Sequence, residues 1–149
     1  MERRAEEPVL FLLQGLSPAE RERYRAAIGE EPRSYRRGEV IYDRSHVRRA
    51  LAWVLDGHLR VLHGRVVMND LHPGDVFGAA ALFGAEDAYP SAVTAATDCR
   101  VQFITQETVS AWMAAEPRIG ENYIRFLSDR IRFLNRRLAT LTAGQTDDK

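Results

Sequence analysis

The segment from Pro73 to Ala96, PGDVFGAAALFGAEDAYPSAVTAA, holds the residues best placed to do chemistry. Pro73-Gly74-Asp75 favours a turn for three separate reasons: a fixed φ, a free φ, and a side chain that bonds nearby backbone. Val76-Phe77 is a short apolar entry, and Gly78 lets the backbone change direction. Ala79 to Phe83 reads as one or two turns of helix, Gly84 to Tyr89 as a loop, and Ser91 to Ala96 as a strand-like run. A glycine turn feeding a short helix aims free backbone N–H groups at one point, which suits a small anion. A tight corner between strand and helix explains Gly78 more plainly. On geometry alone both readings stand, with the corner ahead.

Other side chains offer less. His46, His58, His63 and His72 are too widely spaced for a sequence-local metal cluster. A cupin-like metal enzyme would want His-x-His plus a Glu at short spacing, which is missing. Cys99 is the single cysteine, so an internal disulfide and the usual four-thiolate iron–sulfur cluster are excluded. It follows Asp98 at a strand start and reads as a half-buried small residue. No Ser/His/Asp arrangement or nucleotide-hydrolysis motif is visible, and the chain is not expected to be an enzyme.

The elements that must position the segment are short. At 149 residues the chain fits one domain able to bury roughly two-thirds of its surface. It is 45% hydrophobic and 28% charged with a net charge of zero, an ordinary globular composition that gives no hint of a nucleic-acid or anionic-membrane partner. No apolar run reaches the length of a membrane span and no signal-peptide pattern opens the chain, so the cytosol is the expected compartment. Residues 1–8 read as a mobile N-terminus. After the apolar block Val9 to Leu13, Ser17-Pro18-Ala19-Glu20 starts a helix with a capping box, running to about Ile28. From Arg33 to Thr105 the pattern becomes short apolar runs punctuated by glycine: 33–36, 40–42, 50–55, 58–63, 66–71, 91–96 and 99–105. Asp56-Gly57 is a strong hairpin signal between two of them. Such strands, with a turn about every ten residues, indicate a jelly-roll barrel with flanking helices.

Two helices close the chain. Gln106 to Ala115 carries Val109, Trp112 and Met113 at spacings of three and four. The last helix, 117–143, carries Ile124, Leu127, Ile131, Leu134, Leu138 and Leu141 in a 3-4-3-4-3 pattern. This heptad seam, with β-branched residues at two of three a positions and Leu at every d, favours two parallel strands and hence a homodimer. Phe126 and Phe133 lie on another face, placed to pack on the barrel. Six arginines on this helix (118, 125, 130, 132, 136 and 137) read as solvated flanks.

The order Pro-Gly-Asp-x-Phe-Gly, a short Ala/Leu/Phe helix, a loop, and then Ser-Ala-Val-x-Ala resembles the cyclic-nucleotide-binding domain of the cyclic-AMP receptor protein/FNR (Crp/Fnr) family of bacterial transcription regulators. Gly38, Gly57 and Gly74 fall where that family has structural glycines, and the likeness runs from about Val9 to Ala143. It implies a mainly β fold: a double-stranded β-helix (jelly roll), residues 9–116, with short N-terminal helices and a long C-terminal dimerisation helix. The cassette would line an effector pocket with Phe77, Gly78, Ala79, Ala80, Ala81, Leu82, Tyr89, Pro90, Ser91 and Ala92. In nucleotide-binding members a Glu follows the glycine and an Arg closes the loop; here the positions are Ala79 and Tyr89 or Pro90. Between Arg65 and Arg100 there is no Lys or Arg at all. The resemblance therefore implies an effector other than a cyclic nucleotide, its identity unknown. No cofactor is expected; haem sensing occurs in relatives, and His63 or His72 is the conceivable iron ligand. Residues 144–149 stand where a linker to a winged helix-turn-helix would begin, so DNA reading would need a segment absent from this chain. A free-standing sensor module is the alternative.

Overall fold

The computed structural model describes residues 7–43, 48–84 and 91–147. Among these residues eight strands form two antiparallel sheets. One sheet has the order β1 (Arg33–Tyr35), β8 (Cys99–Thr105), β3 (Ala50–Asp56), β6 (Val76–Phe77). The other has the order β2 (Val40–Tyr42), β7 (Ala92–Ala95), β4 (Leu59–His63), β5 (Val66–Leu71). Ala52, Val54, Phe77, Val101 and Phe103 from the first sheet meet Ile41, Leu59, Val61 and Val93 from the second, filling the space between them. The fold is the expected jelly roll with flanking helices.

The run ALAWVLD of β3 is apolar without alternation because both its faces are covered. Ala50, Ala52 and Val54 look into the roll, while Leu51, Trp53 and Leu55 look out onto the helices. A strand buried on both faces loses the period-two pattern. At the Asp56-Gly57 turn, Gly57 has φ +80° and a Cβ there would lie 2.2 Å from the Asp98 carbonyl oxygen, so only glycine fits.

Outside the first sheet lie a 3-10 turn (Phe11–Leu13), α1 (Pro18–Ala26), α2 (Gln106–Ala115) and α3 (Pro117–Asp147). The capping box forms: Glu20 N–H donates to Ser17 Oγ at 3.2 Å, and Ser17 N–H to Glu20 Oε1 at 3.0 Å. Helix α1 stops at Ala26 rather than Ile28. Its last turn tightens into i→i−3 bonds, Ala27 to Tyr24 and Ile28 to Arg25, and Ile28 packs against the helix-side core.

Helix α3 and the N-terminal segment also differ from the sequence reading. Helix α3 continues to Asp147 instead of ending at Ala143. Nothing in Gly144-Gln145-Thr146 breaks a helix outright, since one glycine costs only about 1 kcal/mol. At the other end, Glu7 is anchored rather than mobile: its carboxylate pairs with Arg25, and Arg100 Nη2 approaches it at 3.4 Å. No helix of the described residues is long and apolar enough to cross a membrane.

Candidate functional site

The turn Pro73-Gly74-Asp75 forms as its residues dictate. Asp75 Oδ2 accepts from the His72 N–H at 2.8 Å, the Asp75 N–H donates to the His72 carbonyl at 2.9 Å, and Gly74 has φ +98°. Strand β6 then lays Phe77 into the roll, edge-on to Tyr42 at 6.4 Å. Gly78 turns the chain with φ +89°, and a Cβ there would meet the Ala50 carbonyl oxygen at 2.7 Å. That contact favours the corner reading over the anion cradle.

The expected helix from Ala79 to Phe83 is instead a series of turns. Ala79 and Leu82 are buried in the helix-side core, with Leu10, Ile119 and Tyr123, while Ala80 is exposed and Phe83 remains 44% exposed. Too few residues lie between Gly78 and Gly84 to nucleate a regular helix. Side-chain groups hold their carbonyls instead. Tyr123 Oη donates to the Ala79 carbonyl, and burial pushes its phenol up to about 12. Arg49 Nη1 donates to the carbonyls of Ala81 at 3.1 Å, Leu82 at 3.3 Å and Gly84 at 2.6 Å. Arg49 is the residue held against the cassette turn that the sequence reading missed. It stands one residue before β3, outside the Arg65–Arg100 window, and no sequence-local signal links it to the cassette.

The candidate residues thus separate. Phe77 faces the roll interior, Ala79 and Leu82 face the helices, and Gly78 sits at the corner between. Ser91 and Ala92 are half-buried at the start of β7. Tyr89 and Pro90, the positions considered for the Arg, lie outside the described residues, as does His46. His58 and His72, distant in sequence, bring their ring centroids to 4.6 Å at the turn end of the roll. Cys99 is more buried than expected, at 6% exposure, and burial first, with Asp98 second, pushes its thiol up to about 11. A separate polar cavity of about 640 Å³ opens beside β8, lined by Glu7, Arg25, Glu30, Glu31, Arg100 and Gln102.

The seam on α3 is largely uncovered. Ile124, Ile131, Leu134, Leu138 and Leu141 are between 50% and 67% exposed, while Leu127 packs partly against the core. Phe126 packs on the core as expected and stacks on Phe11 at 4.4 Å. Phe133 does not: it is 40% exposed, with the guanidinium groups of Arg130 and Arg137 at 5.9 and 5.6 Å from its ring. By that point α3 has passed beyond the roll, so arginine is the available cover. The six arginines of α3 are exposed, as expected.

This arrangement has known counterparts. The family model described as the cyclic nucleotide-binding domain matches residues 32–116. The CRP-like cAMP-activated global transcriptional regulator of Mycobacterium tuberculosis is 26% identical over 116 residues, covering 74% of this chain and 51% of the relative. The chain thus spans about half the length of the curated relatives it matches. Among solved structures, the catabolite activator protein of Thermus thermophilus superposes with a TM-score of 0.77 at 24% identity, covering 89% of this chain and 63% of that one. The sensor domain of the transcriptional regulator DNR from Pseudomonas aeruginosa gives 0.66 at 13% identity, with 80% and 86% covered. On the strength of the family match, the chain belongs to the cyclic nucleotide-binding domain family.

Proposed function

We propose that this chain is the effector-sensing and dimerisation domain of a bacterial Crp/Fnr-type transcription regulator, acting in the cytosol, whose cassette no longer serves cyclic nucleotides. The single observation that carries this reading is α3: one end grips the cassette turn, and the other bares an apolar heptad seam. A second copy is the occupant that seam fits best, since Leu recurs at every d position. DNA reading belongs, in this view, to a part of the full regulator outside these residues.

The effector class follows from the cassette. A cyclic phosphate needs donors and positive charge to replace its hydration. The position of the ribose-binding Glu is Ala79, whose side chain is buried among apolar groups. Arg49, the cation nearest the turn among the described residues, already serves three carbonyls. Losing a buried charge-assisted partner commonly costs about 2 to 5 kcal/mol, or roughly 30-fold to several thousand-fold in affinity. Calorimetry with cyclic AMP is the test, and no saturable heat is expected. Saturable binding at low micromolar concentration, about −8 kcal/mol, would overturn this part of the reading and make Arg49 the candidate phosphate partner.

A further inference from the structure

The polar cavity beside β8 lies at the opposite edge of the first sheet from the cassette. The cassette leaves from β6 at one edge, while β8 pairs with β1 at the other. Along β8, Cys99, Val101 and Phe103 look into the roll, so alternation turns Arg100 and Gln102 outward. The chain between α1 and β1, through Gly29 to Pro32, forms the facing wall, and the cavity of about 640 Å³ opens between them. That volume is within the range of small-molecule sites, roughly 300 to 1,000 Å³.

The charges in its wall are paired. Arg25 donates from Nε to Glu7 Oε2 at 2.7 Å and from Nη2 to the same oxygen, and Arg100 Nη2 reaches Glu7 Oε1 at 3.4 Å. Arg100 Nε donates to Asp56 Oδ2 at 2.8 Å, and Glu30 is held by Arg48. These pairs leave Arg25 Nη1 and Arg100 Nη1 with no partner among the described residues. Gln102, 2% exposed, spends its amide protons on the carbonyls of Glu30 at 3.0 Å and Phe103 at 3.1 Å, and keeps Oε1 as an acceptor. Directly across the ladder from Gln102 stands Trp53, with the Arg25 guanidinium 5.8 Å from its ring centroid. Trp53 Nε1 is a buried donor with no partner among the described residues, which folded chains rarely tolerate. Ile28 and Pro32, both half-buried, add apolar wall.

This set of groups selects a ligand class. An anion would have to take the guanidiniums from Glu7 and leave a buried carboxylate unpaired. A cation would meet carboxylates whose charge is already matched, except at Glu31, which is exposed and screened. A hydroxyl both donates and accepts, so adjacent hydroxyls can take the spare N–H groups and give to Gln102 Oε1 without breaking an ion pair. We propose that the cavity walled by Arg25, Arg100 and Gln102 binds a neutral polyhydroxylated compound, a mono- or disaccharide, with its C–H face on Ile28 and Pro32. This site is separate from the cassette and stands independently of the sensor reading.

The test is a titration of the full, isotope-labelled chain with glucose, galactose and trehalose, each to about 50 mM. The Trp53 indole N–H resonance is followed, with the Trp112 indole as internal control. At least one sugar is expected to shift Trp53 saturably, with a dissociation constant of about 5 mM or tighter, and to leave Trp112 in place. Nuclear Overhauser contacts from the sugar C–H protons to the Ile28 methyl groups then locate the site without any substitution. No saturable shift with any of the three sugars overturns the proposal, as does saturation without those contacts. Glycine and sulfate at the same concentration stand for charged ligands, and a saturable Trp53 shift with either but with no sugar overturns it equally. Two variants read the wall itself. Arg100→Lys keeps the charge beside Asp56 and loses the spare Nη1, so the sugar should bind about five-fold more weakly. Glu31→Gln removes only an exposed charge and should hold affinity within about two-fold. Parental affinity in Arg100→Lys, or a loss of about ten-fold in Glu31→Gln, contradicts a neutral ligand on this wall. Should Arg100→Lys fail to fold, the contacts to Ile28 in the parent chain decide.

Discussion

The two halves of α3 carry apolar residues at similar spacing and meet different fates. In the first turns Ile119 is fully buried, Tyr123 is 5% exposed, and Phe126 and Leu127 pack against the same core. Further along, Ile131, Leu138 and Leu141 are all at least 60% exposed. The helix rises about 1.5 Å per residue, so its 31 residues span roughly 46 Å. A single small roll covers only the first part of that length. An apolar stripe thus says that something must cover a face, while distance along the helix says whether the same chain can do it.

The largest effect that would sharpen this contrast is at the centre of the exposed seam. Leu134→Glu should leave the monomer folded, since Leu134 is half exposed, but would set like charges against each other in a dimer seam. Light scattering should show a dimer for the parent and a monomer for the variant, with association weakened about 1,000-fold, or roughly 4 kcal/mol. A parent monomeric at tens of micromolar (about −6 kcal/mol of association) breaks the comparison, because the seam would then be plain surface.

In the covered half the loss should fall on folding. Ile119→Ala deletes methyl groups at a site with no exposure and should destabilise the fold by about 2 to 5 kcal/mol in denaturant titration. A loss under about 0.5 kcal/mol would mean that this half of α3 is no better packed than the seam.

Alkali probes the same half with a slightly smaller effect. The Tyr123 phenol is pushed from 10 up to about 12 by burial, so the folded chain favours the protonated form. Its contribution is full below about pH 10 and is lost as pH rises toward 12, roughly 2 to 3 kcal/mol in all. The Cys99 thiol, pushed from 9 up to about 11, adds a loss beginning near pH 9. Tyr123→Phe should keep the thiol-linked fall and lose the steeper part above pH 10. Identical pH profiles for parent and variant would show that the phenol is not held in its neutral form by the fold.

The smallest effect belongs to Phe133. Its ring is flanked by arginine and partly exposed, so Phe133→Ala should cost at most about 0.5 kcal/mol in the monomer. A loss near 3 kcal/mol would restore the expectation that it packs on the roll.

The sequence by itself determined whatever depends on local chemistry and period. The capping box at Ser17, the hairpin at Gly57, the strands 40–42, 66–71 and 99–105 and the whole of α2 stand where residue types and alternation put them. The heptad seam was legible for the same reason, because 3-4 spacing is a property of the chain alone. Tertiary structure decided what local pattern cannot carry. Ala79 to Phe83 has helical composition, yet Gly78 and Gly84 bound it too closely, and burial of Ala79 and Leu82 bends it into turns. Arg49 reaches the carbonyls of Ala81, Leu82 and Gly84 across more than thirty residues of chain, and Tyr123 reaches Ala79 across more than forty. A hydrogen bond depends on where two groups come to rest in space, and sequence distance does not limit that once strands and helices have packed. The identity of a backbone carbonyl's partner is therefore written only in the folded chain.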